Sequence, residues 1–189
     1  LKMNCTNLLS NCFSKLFFHF QIFAAVILFM ITILSFDNSY AQNVSVSGAN
    51  VGNGTYATLG AAFTAINGGS QTGANISILI TGSTTETVTA QLNSGTWNSF
   101  TITPSGTRTI SGNISGNALV RFDGADNVNI IGFSAGSYLI FSNSSTSTAV
   151  LTSTLLFIND ASYNKVFSCR IFGSSVSNGA NIIFSTGSS

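Results

Sequence analysis

The sequence predicts an all-β fold in which one short phrase repeats and its strands stack in parallel as a solenoid. Three observations predict it. First, all 18 glycines fall in residues 42–189, among many Ser, Thr and Asn, a mixture that favours turns and strands over helices. Second, apolar pairs at i and i+2 recur at Ile78/Ile80, Phe100/Ile102, Val120/Phe122, Leu156/Ile158 and Ile182/Phe184, and each is followed by a polar residue and then, mostly, a turn former: Gly82, Pro104, Gly124, Asp160 and Thr186. Third, eight residues beyond the first four pairs stand Val88, Ile110, Ile130 and Val166, all apolar and β-branched.

Residues 1–41 are expected to be a signal peptide rather than fold. Lys15 precedes the apolar run Leu16 to Phe36, and Ser39-Tyr40-Ala41 supplies small residues at −3 and −1, which places the cut after Ala41. The alternative is an uncleaved anchor, since the run reaches the roughly 20 residues that span a bilayer, but His19 and Gln21 interrupt its first third. Residues 42–55 are a linker or first strand. Within "YATLGAAFTAINGG", Leu59, Ala62, Phe63 and Ile66 lie at helical spacing, which predicts an amphipathic helix over about residues 57–67 that stops at Gly68-Gly69.

From there to Ser189 the repeat takes over. Apolar residues at i and i+2 put both side chains on one strand face. A turn and a second strand follow, and the phrase restarts after 22, 20, 36 and 26 residues, counted between Ile80, Ile102, Phe122, Ile158 and Phe184. Strands separated by that much chain and repeated in one sense suit coils that pair in parallel about 4.8 Å apart around a column of Ile, Val, Leu and Phe. The 36-residue step is expected to carry "SYLIFSN", Ser137 to Asn143, as an extra strand. The alternative architecture is a β-sandwich, which also uses many short strands with Gly, Asn and Ser turns.

The residues "FDGADNVNIIG", "INDASYNKVFSCRIFG" and the opening "YATLGAAFTAINGG" resemble the right-handed parallel β-helices of the pectin-lyase-like superfamily, in particular long secreted surface proteins of Bacteroidetes-type bacteria. The resemblance covers about residues 56–189. It implies a right-handed winding and a helix that caps the first coil. No second cap follows the strand Ile182 to Phe184, so residues 56–189 are expected to be the N-terminal coils of a longer protein.

In such a fold, residues beside the anchors point outward. One column holds Leu79, Thr101, Arg121, Phe157 and Ile183, and the next holds Thr81, Thr103, Asp123, Asn159 and Ser185. Members that cleave acidic polysaccharides carry an Arg or Lys base and calcium-binding carboxylates on such faces. By that resemblance Arg121, Asp123, Asn159, Asp160 and Arg170 line a sugar-binding groove, with Arg121 or Arg170 holding a uronate. The plainer account is an exposed Arg121–Asp123 ion pair, with Asp126 and Asp160 finishing turns by Asx hydrogen bonds. Trp97, among Ser, Gly and Asn, is either an exposed platform for a sugar ring or an aromatic lid over the first coils. The resemblance also implies that Asn127 and Asn164 belong to internal asparagine ladders.

Composition limits the chemistry. After residue 41 the acids Glu86, Asp123, Asp126 and Asp160 balance Arg108, Arg121, Lys165 and Arg170, so there is no basic stripe for nucleic acid. That portion has no His, which excludes a Ser-His-Asp triad and His-containing zinc sites, and Cys169 is its only thiol. No cofactor is called for. Calcium needs several converging oxygen ligands, and no carboxylate spacing here demands it. The expected function is a secreted or cell-surface module with a structural, adhesive or glycan-contacting role. Its partners are an extracellular polysaccharide or cell-surface glycan and the rest of a longer polypeptide, with membrane contact only through the signal segment. The alternative is the front part of a polysaccharide lyase or glycoside hydrolase.

Overall fold

The computed structural model describes residues 41–134, 136–173 and 180–184, together with His19, Gln21 and Phe23. The chain divides into two units, Leu1–Ser39 and Tyr40–Ser189. In the first, the three described residues are helical, and the expected signal segment otherwise lies outside the described residues. Among the described residues no helix is long and apolar enough to cross a membrane.

The second unit is built from three sheets that the chain visits in turn. After β1 (Val44–Ser47), β2 (Gly54–Tyr56) and helix α1 (Leu59–Asn67), it lays β3 (Asn75–Ile80) in the first sheet, β4 (Thr84–Glu86) in the second and β5 (Ala90–Asn93) in the third. The next lap repeats the order with β6 (Ser99–Pro104), β7 (Arg108–Gly112) and β8 (Ala118–Asp123). A third lap brings β9 (Val128–Ile131), a short β10 (Phe133–Ser134), β11 (Ser137–Asn143) and β12 (Ser153–Ile158). The last described lap is β13 (Lys165–Phe167), β14 (Arg170–Gly173) and β15 (Ala180–Phe184). Strands of successive laps pair in parallel in all three sheets. Antiparallel pairing among the described residues is confined to β1 with β2 and β3, and to the β10–β11 hairpin. A β-sandwich is built from antiparallel sheets, so that alternative is set aside.

Residues in register stack their side chains lap upon lap. Ile78, Ile102, Ile130 and Val166 form a file in the first sheet. Thr84, Ile110, Phe141 and Ile171 form one in the second, and Leu92, Phe122, Phe157 and Phe184 one in the third. The rings of Phe122 and Phe157 stack at 4.8 Å, and those of Phe157 and Phe184 at 4.9 Å. That is the strand spacing itself, so the backbone ladder sets the aromatic one. Val120 and Phe122 are fully buried.

The register corrects several details of the sequence reading. Ile80 pairs with Pro104, and Ile102 with Ile78, so these two anchors are displaced by one pair along one face. Phe122 belongs to a different sheet from both. In β12 the main-core residues are Leu155 and Phe157, whereas Leu156 and Ile158 join Ala118 and Ile183 in a separate cluster. A slip of one residue exchanges the faces of a strand, which is why Phe157, expected outside, is buried. Val88 is 70 % exposed and lies outside the strands. Ser137–Asn143 is no addition to its lap but the regular second-sheet strand, matched by β4, β7 and β14.

The helix starts two residues later than predicted and buries the four residues named for it: Leu59, Ala62, Phe63 and Ile66. Thr58 caps it by accepting from Ala61 N at 3.1 Å. Phe63 meets Phe100 and Phe122 edge-on at 6.2 and 6.3 Å, closing the end of the core column. Glu86, 4 % exposed, reaches back from β4 so that its Oε1 accepts from Leu59 N and its Oε2 from Gly60 N, both at 3.0 Å. A carboxylate at a helix N-terminus satisfies orphan donors and complements the helix dipole. At the other end Asn67 bonds the backbone of β5 on both sides, donating to Gln91 O and accepting from Asn93 N, in place of a neighbouring strand.

Candidate functional site

The outer face of the third sheet carries a strip of polar side chains. Arg121 and Asp123 alternate along β8, which puts them on one face, and their in-register neighbours on β5 are Gln91 and Asn93. Arg121 Nη2 lies 3.0 Å from Asp123 Oδ2. Gln91 Nε2 donates to the same Oδ2 at 3.1 Å and to Asn93 Oδ1 at 2.8 Å. From the next lap, Asn159 Nδ2 donates to Asp123 Oδ1 at 2.5 Å. Asp123 is thus the hub of a network that crosses three laps. With Arg121 and Asp123 only 16 % and 19 % exposed, the pair is held largely out of water and its charges cancel locally.

Arg121, Asp123 and Asn159 are therefore brought together. Asp160 stands beside them at a corner: Asn159 and Asp160 adopt φ of 53° and 62°, and Ala161 N closes the turn onto Ile158 O at 3.2 Å. Two successive left-handed residues make a type I′ turn, which Asn and Asp tolerate better than other side chains. Arg170 lies elsewhere. It belongs to β14 of the second sheet, and its guanidinium sits 4.3 Å from the centre of the Tyr138 ring.

Trp97 corrects the platform expectation. It is 6 % exposed, its ring packs on Phe100 at 5.0 Å, and its Nε1 donates to Asp126 O at 2.7 Å. It pins the corner between β5 and β6 to the corner of the lap above. Asp126 strengthens that corner by accepting Ser162 N and Ser162 Oγ at 2.6 and 2.8 Å.

The two asparagines singled out for ladders divide. Asn164 accepts from Val128 N at 2.9 Å and donates to Ala125 O at 2.8 Å, tying one lap to the next. Asn127 is exposed and serves through its φ of 57°. The buried asparagine that went unnoticed is Asn143, whose amide serves Ile114 N, Ile114 O and Ser153 O. Gln91 and Asn93 were also missed, although Gln91 between Ala90 and Leu92 reads as an outward position.

Burial pushes the Cys169 thiol up to about 11, against smaller lowering effects of the Gly132 and Phe167 backbone. Such a thiol is a packing group rather than a nucleophile. Among the described residues no group of three His, Cys, Asp or Glu side chains is placed to hold a metal ion. No protein-family model, no curated protein and no solved structure matches the chain.

Proposed function

We propose that the chain is a right-handed parallel β-helix module of the pectin-lyase-like kind, secreted or displayed at a cell surface, which contacts glycans without cleaving them. Parallel pairing in three sheets, revisited in one order on every lap, supports the winding. Parallel crossovers are right-handed in about 98 % of cases, which supplies the hand.

The observation that carries the glycan reading is the strip from Asn93 through Gln91, Asp123 and Arg121 to Asn159. It offers amide and carboxylate groups fixed in position by strands, as recognition of hydroxyl-rich chains requires. Its arginine is matched by a carboxylate at 3.0 Å. That arrangement suits hydrogen bonding more than proton abstraction, for which a base must be free to reach the substrate proton.

The test is retention on immobilised plant, algal and bacterial polysaccharides. Wild-type protein is expected to be retained, and Gln91→Ala to be retained less. Release of unsaturated or reducing ends by the wild type, lost in Arg121→Ala, would instead establish a lyase or hydrolase.

A further inference from the structure

Where α1 ends and β5 and β8 run out, the molecule holds a cleft of about 450 Å³. Its lining includes Gly95, Gly124 and the buried Trp97, with half-buried Asp126 and exposed Ser70, Asn93 and Ser94. We propose that this cleft binds a neutral, hydroxyl-rich sugar ring at one end of a glycan and turns acidic sugars away. The proposal rests on the glycan-contact reading and narrows it to a ligand class.

Three features carry it. The walls are rigid: Gln71 spends its amide on Asn50 N, Val51 O and Ile66 O, and Asn67 spends its own on β5, so neither rearranges cheaply. The lining keeps spare capacity of both kinds. Asn93 has its Oδ1 engaged by Gln91, leaving the Nδ2 donor, while Ser94 has no partner among the described residues. Asp126 uses only Oδ1, leaving Oδ2 as an acceptor. Finally, the lining contains one carboxylate and no Lys, Arg or His. A uronate or phosphate would enter against like charge with no cation to receive it, whereas a ring of hydroxyls meets donors and acceptors alike. The volume falls in the range that encloses small ligands. Through Asn93 the cleft joins the outer strip, so a chain anchored by its end here would continue over Gln91 and Asp123.

The experiment is a calorimetric titration of the full chain with cellohexaose, maltohexaose and hexagalacturonate. It compares wild type with Ser94→Trp and Ser70→Trp, each of which puts a large ring at the lining of the cleft, and with Gln91→Ala, which alters the strip. Ser94 and Ser70 are both exposed, and thermal melting confirms that each variant folds. A neutral hexasaccharide is expected to bind, hexagalacturonate to bind at least about tenfold more weakly, and both tryptophan variants to lose at least about tenfold in affinity. Binding that is sensitive to Gln91→Ala but unchanged in both tryptophan variants would overturn the cleft while leaving the glycan reading standing, as would preference for hexagalacturonate. Absence of binding to all three sugars, with no retention on any polysaccharide, would overturn both.

Discussion

The first and last described laps treat the same kinds of side chain in opposite ways. At the first, Phe63 is fully buried beneath Phe100 and Phe122, Glu86 satisfies the start of α1, and β1 and β2 continue the sheet edge in antiparallel fashion. At the last, Phe184 of the inward file is 73 % exposed and the inward Val166 and Ile171 are only half-buried, whereas Phe167 and Phe172 are exposed because they stand on outward faces in register with Ile131 and Ser142. Phe184 continues the file of Phe122 and Phe157, and among the described residues it is covered on one side only. The difference teaches that strand pattern decides which residues enter an inward file, and that a residue in the file is fully buried only where described strands pack on both sides of it. Stability then concentrates where stacking is two-sided, as expected when each repeat touches only its neighbours.

The largest break in that comparison is expected from Phe122→Ala. Phe122 packs between Phe63 and Phe157, and its loss should cost about 3–5 kcal/mol by urea unfolding. Phe184→Ala should cost under about 1 kcal/mol, because most of that ring is already in water. Equal costs would mean that the two ends are not different. Next comes the cap: Glu86→Ala removes the acceptors of Leu59 N and Gly60 N and should cost about 2 kcal/mol, with early loss of hydrogen-exchange protection in α1.

How much of this could be read in the sequence depends on what each signal encodes. The helix was legible because Leu59, Ala62, Phe63 and Ile66 follow a period that only one structure shares. The repeat was legible as a repeat, but its register was not. An apolar i, i+2 pair looks alike on every sheet, so Ile80, Ile102 and Phe122 read as equivalents although the chain places them in two sheets. Of the polar strip, Arg121 and Asp123 were visible as near neighbours. Gln91 and Asn93 were not, because the contacts that give them meaning come from a residue about 30 positions away. Trp97 stayed open between platform and lid for a related reason: its Ser, Gly and Asn neighbours describe the corner, while the ring turns inward to Phe100.

Smaller effects sharpen the picture of the outer face. A double-mutant cycle on Arg121→Ala and Asp123→Asn should give a coupling of about 1 kcal/mol that changes little as salt is added, because the pair is largely shielded from water. The smallest effect concerns Cys169. With its thiol raised to about 11, alkylation by iodoacetamide at pH 8, read by peptide mapping, should be about a hundredfold slower in the native chain than in urea. The sign for stability follows. The unfolded thiol ionises first, so the contribution of the buried thiol is intact below about 9 and is lost as pH rises towards about 11.

The account stands on laps that stack in parallel, and nuclear Overhauser contacts in the isotope-labelled chain test this most directly. The expected result is a relay in file order, Ile78 to Ile102, Ile102 to Ile130 and Ile130 to Val166, with the cross-strand pattern of parallel pairing. Antiparallel Hα–Hα contacts between these strands, or Ile78 lying closer to Ile130 than to Ile102, would contradict it.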